Sequence, residues 1–194
     1  MKSQITIKKI QELLIKGVQT IYVDDDTSRR MWWASLEVIQ KDFLSQNYKQ
    51  GGIWVASPLP AFNDKKFLNQ LHGWLWSPEG FPYFQNENAG FLPVNNSEKI
   101  KKDFDLVSNY KVLNLCQEDG YEPFLMIITP NFQCVLSIVG EKDKKILLMK
   151  CDEESLKLSI ELMHAKLNQE NYEEGVKFRN AINNLGNLNI NNEF

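Results

Sequence analysis

A chain of 194 residues with 43% hydrophobic and 24% charged residues can bury roughly 70% of the surface its unfolded form exposes, enough for one core and one compact unit. The net charge of -3 and pI near 5.5 leave no basic footprint, and the one Arg-Arg pair, Arg29 and Arg30, is not extended into a stripe, which argues against a nucleic-acid partner. No apolar run approaches the roughly 20 residues that span a bilayer, and Met1-Lys2-Ser3-Gln4 leads into a charged helix, not an apolar signal core, so the expectation is a cytoplasmic protein without membrane insertion.

Taken in chain order, residues 7–16 carry Ile7, Ile10, Leu13 and Leu14 at helical spacing and stop at Gly17, a left-handed terminator. A second helix capped by Thr27 or Ser28 places Trp32, Leu36, Ile39 and Phe43 on one inward face and ends before Gly51-Gly52. Residues 53–56 read as a strand broken by Ser57-Pro58-Leu59-Pro60. Residues 64–72 read as a short helix closed by Gly73, and 74–96, rich in Trp, Phe, Tyr, Pro, Gly and Asn, as an irregular aromatic loop or binding surface.

The charged stretch 95–102 separates a helical, aromatic-rich first half (1–94) from a strand-rich second half (103–194), within a single domain. Residues 110–115 open the second half's sheet, and Glu118-Asp119-Gly120 turns the chain back toward Pro123. Three apolar strands follow, over 124–129, 133–139 and 145–151, with Gly140-Glu141-Lys142-Asp143-Lys144 between the last two. Turns this short allow hairpins and no crossovers, so 110–115 and these three strands are predicted to form one antiparallel sheet. Asp152 then caps a helix with Leu156, Ile160, Met163 and Leu167 in an inward stripe, and a last helix over 171–185 ends at Gly186. The fold class is therefore α+β, with an antiparallel sheet of four to five strands in the C-terminal half and helices packed on it.

Two patterns carry chemistry. Ile21-Tyr22-Val23-Asp24-Asp25-Asp26-Thr27-Ser28 resembles the DxDx[TV] start of haloacid-dehalogenase-type phosphatases, which would make Asp24 the nucleophile and Asp26 the general acid, with Thr129, Lys144 or Lys145, and magnesium at Asp152 and Glu153, following in order. The short interval from Thr129 to Asp152 leaves no room for parallel strands with crossover helices, and an acidic linker that caps the next helix accounts for the same residues. The second pattern is aromatic. Trp32 and Trp33 point about 100° apart on a helix, so one of them sits at a rim. Trp33, Trp74, Trp76, Phe81 and Tyr83, with Arg29 and Arg30 one turn from the tryptophan pair, form the candidate ligand or partner surface.

Cys116, Cys134 and Cys151 are widely spaced in apolar sequence and read as reduced core thiols, with no disulfide and no zinc site. His72 reads as a helix-end residue, and His164 is followed by Ala165 and Lys166, unlike a kinase phosphoacceptor. The chain has no GxxxxGK[ST] loop and no GxGxxG turn, so neither a nucleotide nor any other cofactor is expected.

The strings Ser28-Arg29-Arg30-Met31-Trp32-Trp33, Gly52-Ile53-Trp54-Val55-Ala56-Ser57-Pro58-Leu59-Pro60, Leu71-His72-Gly73-Trp74, Met126-Ile127-Ile128-Thr129-Pro130 and Leu147-Leu148-Met149-Lys150-Cys151-Asp152 resemble the N-terminal input region of a cyanobacterial two-component sensor histidine kinase. The resemblance implies a non-catalytic sensory domain without the kinase core, whose partner is a signalling protein (a kinase core or response regulator) or a small ligand, with a homodimer also allowed. The rival expectations are a magnesium-dependent phosphatase built on Asp24 and Asp26 and a protein-interaction scaffold.

Overall fold

Strands whose every residue is covered lose their polar alternation, and two such strands, Ile53–Ser57 and Phe124–Ile128, form the centre of this sheet. The computed structural model describes residues 4–18, 21–44, 51–58, 71–78 and 109–186. Among these, six strands form one mixed sheet: β1 (Ile53–Ser57), β2 (His72–Ser77), β3 (Tyr110–Asn114), β4 (Phe124–Ile128), β5 (Gln133–Glu141) and β6 (Lys144–Lys150), in the order β3-β2-β1-β4-β5-β6. The pairs β1/β2 and β2/β3 are parallel, whereas β1/β4, β4/β5 and β5/β6 are antiparallel. The helices are α1 (Ile7–Leu14), α2 (Asp25–Val38), continued by a wider π-helical turn Ile39–Leu44, α3 (Glu153–Glu170) and α4 (Tyr172–Asn184).

Period-two alternation sends the strands' side chains into two separate cores. On one face Trp54, Ala56, Leu75, Leu125, Ile127, Cys134 and Leu136 pack under Trp32 and Leu36 of α2 and Ile39 of the π-helical turn. On the other, Val55, Trp74, Trp76, Phe124, Met126 and Val135 pack under α1, α3 and α4 through Ile10, Leu156, Met163, Leu167 and Phe178. The predicted inward stripe of α3 therefore lies on the sheet, Ile160 half-buried beside the other three.

The local signals for helices are honoured. Thr6, Asp24, Asp152 and Asn171 cap α1 to α4 with side-chain oxygens that accept N–H bonds from the first turn. The second cap is Asp24, earlier than Thr27 or Ser28, because its carboxylate reaches Thr27 N–H at 2.7 Å and Thr27 Oγ1 at 3.1 Å. Gly17 takes φ 77° after α1. The β5/β6 hairpin is tighter than expected, pairing Glu141 with Lys144, and a side chain on Gly140 (φ 123°) would meet the Lys144 carbonyl oxygen at 2.1 Å.

Three expectations are corrected. The sheet is mixed, and two of its strands come from the first half of the chain. Residues 110–114 pair in parallel with β2 at the sheet edge, not in a hairpin, because the turn at Gln117–Asp119 is fastened to α1 and α3 through Asp119 and carries the chain past β2 and β1 into β4. The expected helix over 64–72 lies outside the described residues as far as 70, but His72 opens a strand. His-Gly-Trp-Leu-Trp-Ser reads as loop because both its faces are covered, and its glycine is there because the Trp54 indole lies on it: a Cβ at Gly73 would sit 2.2 Å from the ring. The boundary near 95–102 lies outside the described residues. Strands from either side of it share the one sheet.

Gly73→Ala should therefore lower stability by about 1–3 kcal/mol through overpacking, whereas Trp33→Ala on the outer face of α2 should stay within about 0.5 kcal/mol of wild type; urea midpoints at constant slope measure both. Lys166→Met should lose about 3–5 kcal/mol, because Asp119 would be left as an uncompensated buried charge, and Lys166→Met with Asp119→Leu should recover part of that loss in the same measurement.

Candidate functional site

α4 begins where Asn171 caps the backbone N–H groups of Glu173 and Glu174, and this places Glu174 over the start of β2. The Trp74 indole N–H donates to Glu174 Oε2 at 2.9 Å, and Lys177 Nζ donates to Oε1 at 2.7 Å. Phe178, one residue on, meets the Trp74 ring edge-on at 5.2 Å and closes the core beneath. Above this floor lies an open cleft of about 450 Å³, within the size range of small-molecule sites. β2 contributes His72 and Trp74, β3 contributes Tyr110 and Lys111, and α4 contributes Lys177, Asn180 and Asn184 in addition to Glu174.

The electrostatics follow from this geometry. Burial works to raise the Glu174 carboxyl, but the bonds from Lys177 and Trp74 and the nearby charges of Lys177 and Lys111 outweigh it and hold the group below the usual glutamate range. Glu174 is thus a fixed anion with both oxygens engaged, flanked by two ammoniums. Amides on α4, an imidazole and a half-buried phenol complete a wall of hydrogen-bonding groups suited to holding a polar molecule.

The sequence-derived surface is divided by the sheet. Arg29 donates to Asp25 at 2.8 Å, Arg30 donates to Thr27 Oγ1 at 3.2 Å, and Trp33 is 57% exposed. All three ride on α2. Trp74 and Trp76, at 3% and 0% exposure, belong to the opposite face. Trp74 is the floor of the cleft, and Trp76 is buried against Lys166, to whose neighbour Glu170 it donates at 2.7 Å. A covered strand needs large side chains on both faces, which is why these tryptophans are core and not surface. Phe81 and Tyr83 lie outside the described residues. Sequence reasoning missed Lys111, Glu174, Lys177, Asn180 and Asn184; the available signal was the polar stripe Lys177, Asn180, Asn184 beside the apolar Phe178 and Ala181 on one helix.

The acidic motif is occupied structurally. Asp24 caps α2 with both oxygens, and its bonds from the Thr27 backbone and hydroxyl keep its carboxyl low. Asp25 is held low by Arg29. Val23 makes a single antiparallel bridge to Lys145, whose ammonium pairs with Glu122. Thr129 exchanges bonds with the Phe132 backbone at 3.0 Å, and Asp152 caps α3. The three cysteines are free thiols, and burial drives Cys134 well above the ordinary thiol range. Among the described residues no group of three or more His, Cys, Asp and Glu side chains gathers as a metal-ligand set, and no helix is long and apolar enough to cross a membrane. His164 stacks on Phe178 and contacts Asn168 at 2.9 Å; burial and then Arg179 lower its pKa.

A family profile described as a domain of unknown function, DUF8628, matches residues 8–194, and the chain belongs to that family. No curated protein and no solved structure matches it.

Two titrations should be visible in stability. A folded-state pKa below the unfolded one means that the unfolded chain binds more protons in between, so stability falls as pH falls. For His164 the loss should begin near pH 6.5 and continue to its lowered folded value; for Glu174 it should begin near pH 4.5 and continue to its lowered value. Urea midpoints between pH 8 and pH 3 should show both declines, the upper flattened by His164→Gln and the lower by Glu174→Gln.

Proposed function

We propose that this DUF8628 domain is a non-catalytic signal-input module of the two-component type, which takes a small polar ligand in the cleft between β2, β3 and α4 and meets its signalling partner through α2. The cleft carries the reading. It brings two lysines, two helix amides, a histidine and a phenol to one concave surface over a rigid tryptophan floor, and hydrogen-bonding groups that converge on a packed base are how small-molecule sites acquire orientation and specificity.

The sequence resemblance to histidine-kinase input regions supplies the signalling context. The partner surface rests on Trp33, an aromatic left 57% exposed one helical turn after Arg29 and Arg30, the residue types that dominate binding energy at protein interfaces. That same exposure favours the second reading, a scaffold module that works through α2 alone.

Screening the purified chain by thermal shift against small polar metabolites tests the proposal. A ligand of this site should stabilise the wild type by about 2.7 kcal/mol at a hundred times its Kd, and Asn180→Ala with Asn184→Ala should abolish that gain without moving the unliganded melt. Parallel incubations with a phosphate ester plus magnesium, and with labelled ATP, should give no turnover and no label. Hydrolysis lost on Asp24→Asn, or phosphate on His164, would overturn the signal-input reading; stabilisation by no ligand, with a partner captured only while Trp33 is present, would favour the scaffold.

A further inference from the structure

Resting on the cleft as a binding site, we infer that its ligand is a small organic acid with an anionic head and a hydrogen-bond-donating tail: a hydroxy acid, an amino acid or a sugar acid. The charge layout carries this. Around the head of the cleft stand Lys111 on β3 and Lys177 on α4, against one carboxylate, Glu174, whose oxygens already accept from Lys177 and from the Trp74 indole. Lys177 is taken up by Glu174 and, at longer range, by Glu173, so the Lys111 ammonium is the positive charge at the head that no carboxylate bond satisfies among the described residues. An anion entering there neutralises the surplus without displacing the Trp74 bond.

The other end has the opposite preference. The cleft runs along α4 from Glu174 and Lys177, in its first half, to Asn180, Ala181 and Asn184, in its last turns. The C-terminal end of a helix carries the negative end of its dipole and its unpaired carbonyls, which attract hydroxyl or amino hydrogens and repel a second anionic group. The Asn180 and Asn184 amides, one helical turn apart, can both accept from and donate to the same tail. A neutral sugar would leave the Lys111 ammonium uncompensated, a polyamine would be repelled at the head, and a dicarboxylate would be repelled at the tail. Opposite polarity at the two ends of one groove selects a bipolar ligand.

The test is a panel titrated into the isotope-labelled full chain, read by backbone amide shifts at residues 72–74, 109–111 and 174–184. The probes are gluconate, serine, glucose 6-phosphate, glucose, succinate and spermidine. Bipolar acids should shift these amides, with an affinity that falls as chloride is raised, because partly exposed charges are screened. Glucose, with the same hydroxyls and no charge, should bind at least tenfold more weakly than gluconate. Lys111→Gln should weaken the acids at least tenfold and leave glucose unchanged; Lys111 is exposed on β3, so an unchanged melt confirms that the variant is folded. If glucose binds as tightly as gluconate, or spermidine or succinate binds best, the bipolar-anion inference is overturned while the cleft remains a binding site. If no probe moves these amides and no metabolite stabilises the chain, both fall.

Discussion

One buried ammonium fixes the side of the molecule that carries the cleft. Lys166, 1% exposed, donates to Asp119 Oδ1 at 2.7 Å and to Glu170 Oε1 at 2.6 Å, and lies 5.4 Å from the Trp76 ring centroid. Taking an ammonium and a carboxylate out of water costs several kcal/mol per ion after relaxation, so the pair persists only with its remaining valences filled. They are filled by four elements. Asp119 also accepts from the Ile7 backbone at the start of α1 and from the Cys116 backbone at 3.2 Å, and Glu170 accepts from the Trp76 indole on β2. A hydrophobic substitute of equal volume could match the energy but would not specify which loop, helix and strand meet.

From that point the geometry of the cleft follows. Glu170 ends α3 and Glu174 opens α4, and each takes the indole N–H of an alternate tryptophan on β2. Residues two apart on a strand share a face at a spacing of about 6–7 Å, and the two glutamates on either side of the Asn171 elbow each take one of these indoles, so strand and elbow are held at two points. Gly175 eases this close approach of the helices, since a Cβ there would lie 2.0 Å from Asn168 Oδ1 and 3.1 Å from the Asn168 backbone nitrogen. The ionic pairs on α2, by contrast, are solvent-exposed and worth little in stability. The cleft face is set rigidly, and the α2 face is shaped chiefly by what α2 buries.

How much of this was legible depends on the kind of signal. Helix starts were readable at Asp152 and Asn171, where a short polar side chain stands just before the helix, because capping is a local interaction between residues two or three apart; at α2, with several short polar residues in a row, the cap fell at Asp24 instead of Thr27 or Ser28. Strands β4, β5 and β6 were readable because their connections are short. β2 was not: covering on both faces removed its alternation, and Gly73 owes its presence to Trp54, which is distant in sequence and adjacent only through the parallel register of β1 and β2. The place of β3 was hidden for a related reason, since its neighbour in space is β2 while its neighbour in sequence is β4. The candidate site divided along the same line. Helical geometry alone put one of Trp32 and Trp33 at a rim, and Trp33 is the exposed one, whereas the cleft draws on residues of β2, β3 and α4 that no sequence spacing connects.

The acidic stretch at Asp24 shows why a motif is a weaker guide than its surroundings. An aspartate before a helix and an aspartate at the end of a catalytic strand look alike in sequence, because both stand where an extended segment gives way to a helix. They differ in where the carboxylate lone pairs go. Here both oxygens of Asp24 accept from Thr27, Asp25 is tied to Arg29 one turn on, and the preceding residue, Val23, bridges to the sheet's outer strand at Lys145. A carboxylate held low by its own helix is stabilised as an acceptor, and that stabilisation must be given up before it can attack anything. Glu174 has the same saturation of its oxygens but stands in a cleft beside two ammoniums, so its effect is to set the charge its neighbours present. The same side-chain chemistry therefore builds structure at one end of the chain and recognition at the other, and the difference lies in what surrounds it.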